Sequence, residues 1–223
     1  MLFRSGGRSA DLDTFVVEFV SHADPALTID RLGEMPLPPY ITDRSSDRDR
    51  YQTVYARRAA SAAAPTAGLH FTPDLLTRIE QLGASIARVE LVVGLDTFKP
   101  VTAEDPAQHA MHSEWFSVDQ SILDRARDAR RVVAVGTTAV RSLETAASTG
   151  RLEGRTELFI RRGYQWKVVD LMMTNFHLPR TTLLMMIDAF VGSRWRNLYE
   201  TALGSEYRFL SFGDAMLLDR HAT

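Results

Sequence analysis

Hydrophobic residues near the start of the chain follow first the rhythm of a strand and then that of a helix. Residues 14–20 alternate apolar and polar positions and include several β-branched side chains, which predicts a strand. Residues 24–33 begin with Asp24, a capping residue, and Pro25, which suits the first helical position, so they predict a helix. Three prolines within residues 35–41 predict a rigid, extended connection.

Further along the chain, segments with a helical period alternate with short apolar runs. Thr72 and Gly83 bound one helical segment, and Ser117 with Gln120 forms a capping-box pattern that predicts the start of another. The apolar run at residues 132–135 predicts a strand buried on both faces. The other predicted strands are residues 86–93, 157–160 and 167–173, and the other predicted helices are residues 137–148, 181–190 and 194–203.

This alternation of strands with helices predicts an α/β fold with parallel strands and helical crossovers, either an open sheet or part of a barrel. In both architectures ligands bind at the carboxyl ends of the strands. Candidate chemistry should therefore be sought in the loops that follow the strands.

Composition narrows the function only slightly. The net charge is −2, with 26 basic and 28 acidic residues, so any contact with a nucleic acid has to be local. The absence of cysteine excludes disulfides, thiolate catalysis and cysteine-ligated metals. The first residues lack the apolar run of a secretory signal, and no segment predicts a membrane span, so we expect a cytoplasmic protein without a membrane partner.

Several motifs, taken together and in order, resemble the S-adenosylmethionine:tRNA ribosyltransferase-isomerase family of queuosine biosynthesis. They extend over most of the chain, whereas a single motif such as Gly-Thr-Thr carries little information alone. The motifs are MPLPPYI from Met35, YQTVYA from Tyr51, APTAGLHF from Ala64, VGLDTFKPV from Val93, MHSEWF from Met111, VAVGTTAVRSLET from Val133, QWKVVD from Gln165, TNFHLP from Thr174 and YRFLSFGDAM from Tyr207.

The resemblance implies a fold in two parts. Residues 41–223 are expected to form a partial α/β-barrel-like catalytic domain, and residues 1–40 a remnant of a smaller β-barrel-like domain with a helix and the proline-rich connection. We expect the family's amino-terminal portion to be missing. Either the start is misassigned, or another chain completes the fold, or the protein is a remnant. A β-barrel that lacks strands exposes an edge, so oligomerisation through that edge is also expected.

The implied reaction transfers and isomerises the ribosyl group of S-adenosylmethionine onto 7-aminomethyl-7-deazaguanine in the tRNA anticodon loop. It forms epoxyqueuosine and releases adenine and methionine, with S-adenosylmethionine as co-substrate and no other cofactor. Two residues depart from the family pattern, because Val92 replaces a histidine and Asp96 replaces a glycine. Two alternatives therefore stay open: a catalytically impaired remnant or binding module for tRNA or S-adenosylmethionine, and an enzyme that uses a non-tRNA acceptor.

Three residues are the candidates for acid–base catalysis. His177 follows a predicted strand and precedes a helix, which is the ligand side of the fold, although a buried histidine bonded to the backbone is the alternative. His112 and Glu114 lie in a compact polar segment with His109, and an exposed loop is their alternative. We expect no metal there, because no second ligand motif accompanies the two histidines.

The resemblance also implies residues for substrate and for tRNA. Gly136, Thr137 and Thr138 open a helix and suit an anion, unless they only cap the helix, and Arg141 either binds an anion or pairs with Glu144 on the surface. The remaining substrate-binding candidates are Gly68, His70, Thr97, Phe98, Asn175 and Phe176. The candidates for binding tRNA are Arg57, Arg58, Lys99, Arg161, Arg162, Tyr164 and Trp166.

Overall fold

The computed structural model divides the chain into two compact units, Met1–Leu37 and Pro38–Thr223. Within them the structure describes residues 2–8, 15–20, 24–33, 37–38, 40–41, 48–58, 60–93 and 113–222. Among these residues no helix is both long enough and apolar enough to cross a membrane. The assignment of the two units to a β-domain remnant and a catalytic domain stays a prediction.

The first unit contains two antiparallel strands and a helix. Strand β1, Leu2–Arg8, pairs with β2, Phe15–Val20, and helix α1 covers Pro25–Leu32. The predicted strand and helix are thus confirmed within a residue or two at each end. Strand β1 was not predicted, because its sequence LFRSGGR contains a Gly-Gly pair and lacks the alternation of a half-buried strand.

The described residues of the second unit include five α-helices. Helix α2 starts after Thr72, whose hydroxyl accepts a hydrogen bond from the Leu75 amide at 3.1 Å, as predicted. The helices are α2, Pro73–Gln81; α3, Gln120–Asp128; α4, Thr137–Thr149; α5, Thr182–Val191; and α6, Trp195–Gly204. Short 3-10 helices cover Arg48–Tyr51, Thr66–His70 and Gly192–Arg194.

The strands described in the second unit form two three-stranded sheets. In the first, β4 is central between β3 and β6, and both pairings are antiparallel. In the second, β7 is central, parallel to β5 and antiparallel to β8. The strands are β3, Glu90–Val92; β4, Glu114–Ser117; β5, Val133–Val135; β6, Glu153–Thr156; β7, Leu171–Asn175; and β8, Ala215–Asp219.

The mixed α/β class is confirmed, but the predominance of parallel strands is not. Among the described strands only β5 and β7 are parallel. The prediction erred because β4, β6 and β8 are short segments of four or five residues whose sequences do not stand out from the surrounding loops. Antiparallel neighbours need no long crossover, so alternation of helices and strands along the chain did not reveal them.

Three local predictions were wrong. Ser117 ends strand β4 instead of capping a helix, and the side chain of Asp119 caps α3 by accepting a hydrogen bond from the Ser121 amide at 2.8 Å. Residues 157–160 lie just beyond strand β6 and are not a strand. Val133 is 52% exposed, so β5 is not buried on both faces.

Helix α4 occupies the centre of the core. Its residues Val140 and Ala146 are fully buried, and they belong to the same apolar cluster as Phe116 of β4, Met172 of β7 and Ile187 of α5. Both sheets and α5 therefore bury apolar side chains in one cluster with a single helix. Burial of this kind is the main source of stability in a domain of this size.

A buried carboxylate joins α4 to the segment that precedes β7. Glu144 is fully buried, and its oxygens accept hydrogen bonds from the amides of Lys167, Val168 and Val169 at 2.9, 3.0 and 2.9 Å. They also accept a hydrogen bond from the Tyr164 hydroxyl at 3.0 Å. Four donors compensate the cost of burying the charge, so Glu144 fixes where the chain enters β7.

Replacement of Glu144 by Gln should destabilise the protein by about 3 kcal/mol. The NH2 group of the new side chain would replace a carboxylate oxygen that accepts two hydrogen bonds. Both hydrogen bonds would be lost, and the buried groups that donate them would be left unpaired. Urea unfolding of the 223-residue chain measures the loss. The exposed Glu157→Gln variant serves as control and should change the free energy of unfolding by less than about 0.5 kcal/mol. Equal stability of the two variants would contradict this role for Glu144.

Candidate active site at the carboxyl edge of β5 and β7

The parallel pair β5–β7 brings two candidate segments to the same edge of a sheet. Val135 is in register with Met173, and the amide of the next residue, Gly136, donates to the Met173 carbonyl at 2.8 Å. Strand β8 runs in the opposite direction and starts at this edge, where Ala215 lies opposite Asn175. The turns after β5 and β7 and the loop before β8 therefore meet at one place, the edge where the sequence analysis looked for chemistry.

Asn175 is the centre of a polar cluster at this edge. Its side chain is 2% exposed, and its Oδ1 accepts a hydrogen bond from the Thr66 hydroxyl at 2.9 Å. Its Nδ2 donates to the Asp214 carbonyl at 3.3 Å and lies 3.5 Å from Nε2 of His70. Two predicted substrate-binding residues, Asn175 and His70, are thus brought together from positions 105 residues apart.

Gly68 allows the 3-10 helix Thr66–His70 to pack closely on its neighbours. A side chain at this position would collide with the Tyr55 hydroxyl and would approach the methyl group of Thr53 to 2.8 Å. The close packing holds His70, which is exposed, beside Asn175. Only glycine lets the backbone approach its neighbours this closely. Packing therefore requires Gly68, whether or not it also binds substrate.

His177 lies immediately beyond β7 and is held at both ends. Its Nε2 is 2.8 Å from the hydroxyl of Thr174, and its backbone amide donates to the Tyr199 hydroxyl at 2.9 Å. Burial lowers the pKa of His177 to about 4 and raises the pKa of Tyr199 to about 12. Both groups are therefore uncharged at neutral pH, so the His177 imidazole is in the neutral form that can accept a hydrogen bond or, as a weak base, a proton.

Phe176 belongs to the core. Its side chain is 4% exposed and its ring contacts those of Tyr199, Tyr207 and Phe209 at centroid distances of 5.4, 5.8 and 4.9 Å. The structure therefore gives Phe176 a packing role, and stacking of this ring on a substrate stays an untested prediction.

The turn from β5 into α4 is formed by Gly136, Thr137 and Thr138. Gly136 has a φ of +88°, a conformation that side-chain-bearing residues rarely adopt, and its carbonyl accepts the first helical hydrogen bond from Val140 at 3.2 Å. No side-chain hydrogen bond caps the helix there. Capping by these threonines is therefore not observed, and anion binding by this turn stays a prediction.

Arg141 forms a buried ion pair with Glu114, which joins α4 to β4. The two side chains are 9% and 4% exposed, and Arg141 also contacts the Thr156 carbonyl at 3.5 Å. The predicted alternative, a surface pair with Glu144, was wrong because both residues face the interior and bind different partners. Removal of either member of a buried pair leaves an uncompensated charge, so this pair has a structural role whether or not Glu114 or Arg141 also acts on substrate.

The described arginines that were predicted to bind tRNA differ in their contacts, and their binding of tRNA stays a prediction. Arg57 is exposed, and Arg58 pairs with Glu90 at 2.5 Å. Arg161 lies over the Phe159 ring at 5.9 Å, and Arg162 binds Asp188 through two nitrogens at 2.6 and 3.0 Å.

Tyr164 and Trp166 make internal contacts. Tyr164 donates its hydroxyl to Glu144 and packs edge-on against Trp166, whose indole nitrogen lies 3.4 Å from the Ala189 carbonyl. Trp166 also packs against Phe190. These contacts give both rings a structural role and provide no support for stacking on a base, which stays an untested prediction.

Some predicted residues lie outside the part of the chain that the structure describes. They are Asp96, Thr97, Phe98, Lys99, His109 and His112. Among the described residues, no group of three or more histidine, aspartate or glutamate side chains is arranged to hold a metal ion.

Four residues of the site were not predicted. Thr66 and Asp214 bind Asn175, while Thr174 and Tyr199 bind His177. Thr66, Thr174 and Asp214 lie inside the motifs APTAGLHF, TNFHLP and YRFLSFGDAM, so the motifs were a usable signal for them. Tyr199 lies outside every motif, and only the packing of α6 identifies it.

Comparison with known proteins shows the family. The model of the family described as "Queuosine biosynthesis protein" matches residues 7–218. The chain belongs to this family. Three motifs from distant parts of the sequence supply the residues Thr66, Thr174 and Asp214, each of which forms a hydrogen bond with Asn175 or His177.

Relatives in the family are similar over nearly the whole chain. A protein of Rubrobacter xylanophilus is 53% identical over 85% of this chain, and one of Acaryochloris marina is 47% identical over 97%. Both are named S-adenosylmethionine:tRNA ribosyltransferase-isomerase. The chain spans about 60% of the length of these relatives, 57% and 62% respectively.

A solved family structure has a related fold. The crystal structure of S-adenosylmethionine tRNA ribosyltransferase from Thermotoga maritima matches with a TM-score of 0.56 and 41% sequence identity. The match covers 68% of this chain and 50% of the other.

The pKa of His177 predicts a pH dependence of stability. An unfolded chain binds a proton at this residue with a pKa near 6.5, whereas the folded protein does so only near 4. Between these values the unfolded state binds more protons, so His177 should cost stability as the pH falls from 6.5 to 4, up to about 3 kcal/mol. Unfolding measured across this range should show a shallower slope for His177→Asn than for the wild type.

The exposed His221 supplies the control for this experiment. His221→Asn removes an exposed histidine near Asp170, beyond the end of β8 opposite to Ala215, and should change the slope between pH 6.5 and 4 less than His177→Asn does, because exposed ion pairs contribute little. A His177→Asn slope that matches both would show that His177 is not held in its neutral form.

Proposed function

We propose that this chain provides the catalytic centre for transfer and isomerisation of the ribosyl group of S-adenosylmethionine onto 7-aminomethyl-7-deazaguanine in tRNA. The products are epoxyqueuosine in tRNA, adenine and methionine. The single observation that carries the proposal is the hydrogen bond between Thr66 and Asn175, which joins two family motifs 109 residues apart at the edge where an α/β fold binds ligands. The names of the relatives support the same reaction.

The chemistry needs a proton acceptor close to the sulfonium. The carbon between the ribose ring and the sulfur is acidified by the adjacent positive charge, so removal of one of its protons gives an ylide that can begin the rearrangement. General-base catalysis typically contributes about 10²–10⁴-fold. His177 is uncharged at neutral pH and held by Thr174 just beyond β7, and His70 is exposed beside Asn175, so each imidazole is a candidate for this step.

Of the two, we assign proton transfer to His177 and substrate binding to His70 with Asn175. The Asn175 side chain is held by Thr66 and by the Asp214 carbonyl, so its orientation is set before substrate arrives. Such fixed polar groups suit hydroxyls of a ribosyl group, because they need no reorganisation on binding. Glu114, with Arg141, supports the adjoining sheet from a buried position.

The wider context is also part of the proposal. The catalytic unit is a portion of an α/β-barrel-like domain, and the first unit is a portion of a smaller β-barrel-like domain, in the family's arrangement. The tRNA anticodon loop is the partner, the cytoplasm is the compartment, and the chain associates with other chains through an exposed β edge. Because relatives are longer, the activity of the 223-residue chain itself requires direct measurement.

Adenine release tests the proposed reaction. The 223-residue chain, incubated with S-adenosylmethionine and tRNA that carries the precursor base, should release adenine only when both are present. His177→Ala should slow release by about 10²-fold or more, because the proton acceptor is lost. His70→Ala should act mainly through weaker substrate binding, and His221→Ala should retain full activity. Chromatography of free adenine measures all four proteins.

Other outcomes separate the alternative functions. Retention of tRNA without adenine release would identify a binding module, and release that depends on the free deazapurine base, with none on tRNA, would identify a different acceptor. Unchanged turnover of His177→Ala would remove His177 from the mechanism.

A further inference from the structure

A surface groove next to the candidate active site concentrates positive charge on a protein that is negative overall. The groove has a volume of about 360 Å³ and lies where α5 and α6 meet the loop after β7. Three arginines line it, Arg162, Arg180 and Arg196, with one carboxylate, that of Asp188. The groove thus carries a net charge of about +2, against −2 for the whole chain.

The contacts inside the groove leave two of the arginines available. Asp188 binds Arg162 at 2.6 and 3.0 Å and also accepts a hydrogen bond from the Trp195 indole at 2.8 Å. Asp188 is therefore occupied by these two partners. Within the described part of the chain, neither Arg180 nor Arg196 has an acidic partner, and both are exposed.

The Trp195 ring fixes the orientation of Arg196. The Arg196 guanidinium lies over this ring, with its central carbon 4.8 Å from the ring centroid. A stacked guanidinium keeps its N–H edge free for an anion, and its planar fork matches two oxygens of a phosphate. Because Arg196 covers this face of Trp195, the arrangement favours a phosphate over a stacked base.

The groove is connected to the candidate active site in two ways, once along the chain and once through packed aromatic rings. Arg180 follows His177 by three residues, and the Trp195 ring packs on Tyr199 at 5.5 Å, whose hydroxyl holds the His177 amide. A polyanion that crosses the groove would therefore pass close to His177. Arg162 was a predicted tRNA contact, whereas Arg180 and Arg196 were not predicted.

We propose that Arg180 and Arg196 bind the phosphate backbone of the RNA substrate as it enters the active site. This inference rests on the proposed function for the identity of the polyanion. Contacts of this kind position the RNA and carry no base specificity. Their energetic signature is salt dependence, because each neutralised phosphate releases counterions.

Binding of precursor tRNA to the 223-residue chain, measured by fluorescence anisotropy at several salt concentrations, tests the proposal. The double variant Arg180→Gln/Arg196→Gln should lose about two units of the slope of log affinity against log salt, and roughly ten-fold in affinity near physiological salt. The charge-conserving Arg180→Lys/Arg196→Lys variant should keep most of the slope. If the substitutions acted only by disturbing the structure, the lysine variant would lose the slope as well.

Arg127→Gln is the matched control, because Arg127 is an exposed arginine of α3 away from the groove. It should leave both slope and affinity close to the wild type, and thermal unfolding should show that all variants are folded. A slope unchanged in the glutamine double variant, an equal loss in Arg127→Gln, or no binding of tRNA by the wild type would overturn the proposal.

Adenine release by the same proteins distinguishes this inference from the proposed function. If the wild type releases adenine and the glutamine double variant has an unchanged KM for tRNA, the groove assignment fails and the function stands. If the slope changes as expected while no protein releases adenine, the groove binds RNA and the proposed reaction fails.

Discussion

The parallel pairing of β5 with β7 is the constraint on which the candidate site depends. Parallel strands direct their carboxyl ends to the same edge. Backbone pairing alone therefore brings the Gly136 turn next to the segment Thr174–His177. Antiparallel β8 then brings the loop that ends at Asp214 to that edge. Thr66 adds the remaining segment through its hydrogen bond to Asn175.

Buried polar groups hold this arrangement in position. Glu144 fixes the chain just before β7 through three backbone amides and the Tyr164 hydroxyl, and the Arg141–Glu114 pair joins the same helix to β4. Both groups project from α4, the central helix of the core. Loss of a partner in such a network costs more than an exposed ion pair contributes, because the remaining group stays buried. The site is therefore supported from a rigid element and not from loops alone.

Local patterns were sufficient for the long helices and for the strands with continuous apolar runs. Capping residues located α2, and the positions of α4 and α5 followed from their apolar period and from Gly136 and Thr181. Local patterns failed where tertiary contacts decide the structure. Ser117 with Gln120 matches a capping box, yet pairing of Ser117 with Glu90 and Glu153 places it in a sheet. Strand β8 gave no signal strong enough to separate it from a loop.

The same distinction applies to the candidate site. Motif resemblance predicted Asn175, His70 and His177 as site residues, but it could not show which segments touch, because the partners of Asn175 lie 39 to 109 residues away. It also predicted that Tyr164 and Trp166 bind RNA, but it could not show that their hydroxyl and indole groups also contact Glu144 and the Ala189 carbonyl. A sequence shows which side chains are chemically capable, and the packing of the chain decides which of them are free to act.

The most direct measurement of the central claim is a double-mutant cycle on tRNA-dependent adenine release with Thr66→Val, Asn175→Ala and the combined variant. If these residues orient one substrate as a unit, the loss in kcat/KM for the combined variant should be smaller than the sum of the single losses by about 1 kcal/mol or more. Losses that add within about 0.3 kcal/mol would contradict a site assembled around this hydrogen bond.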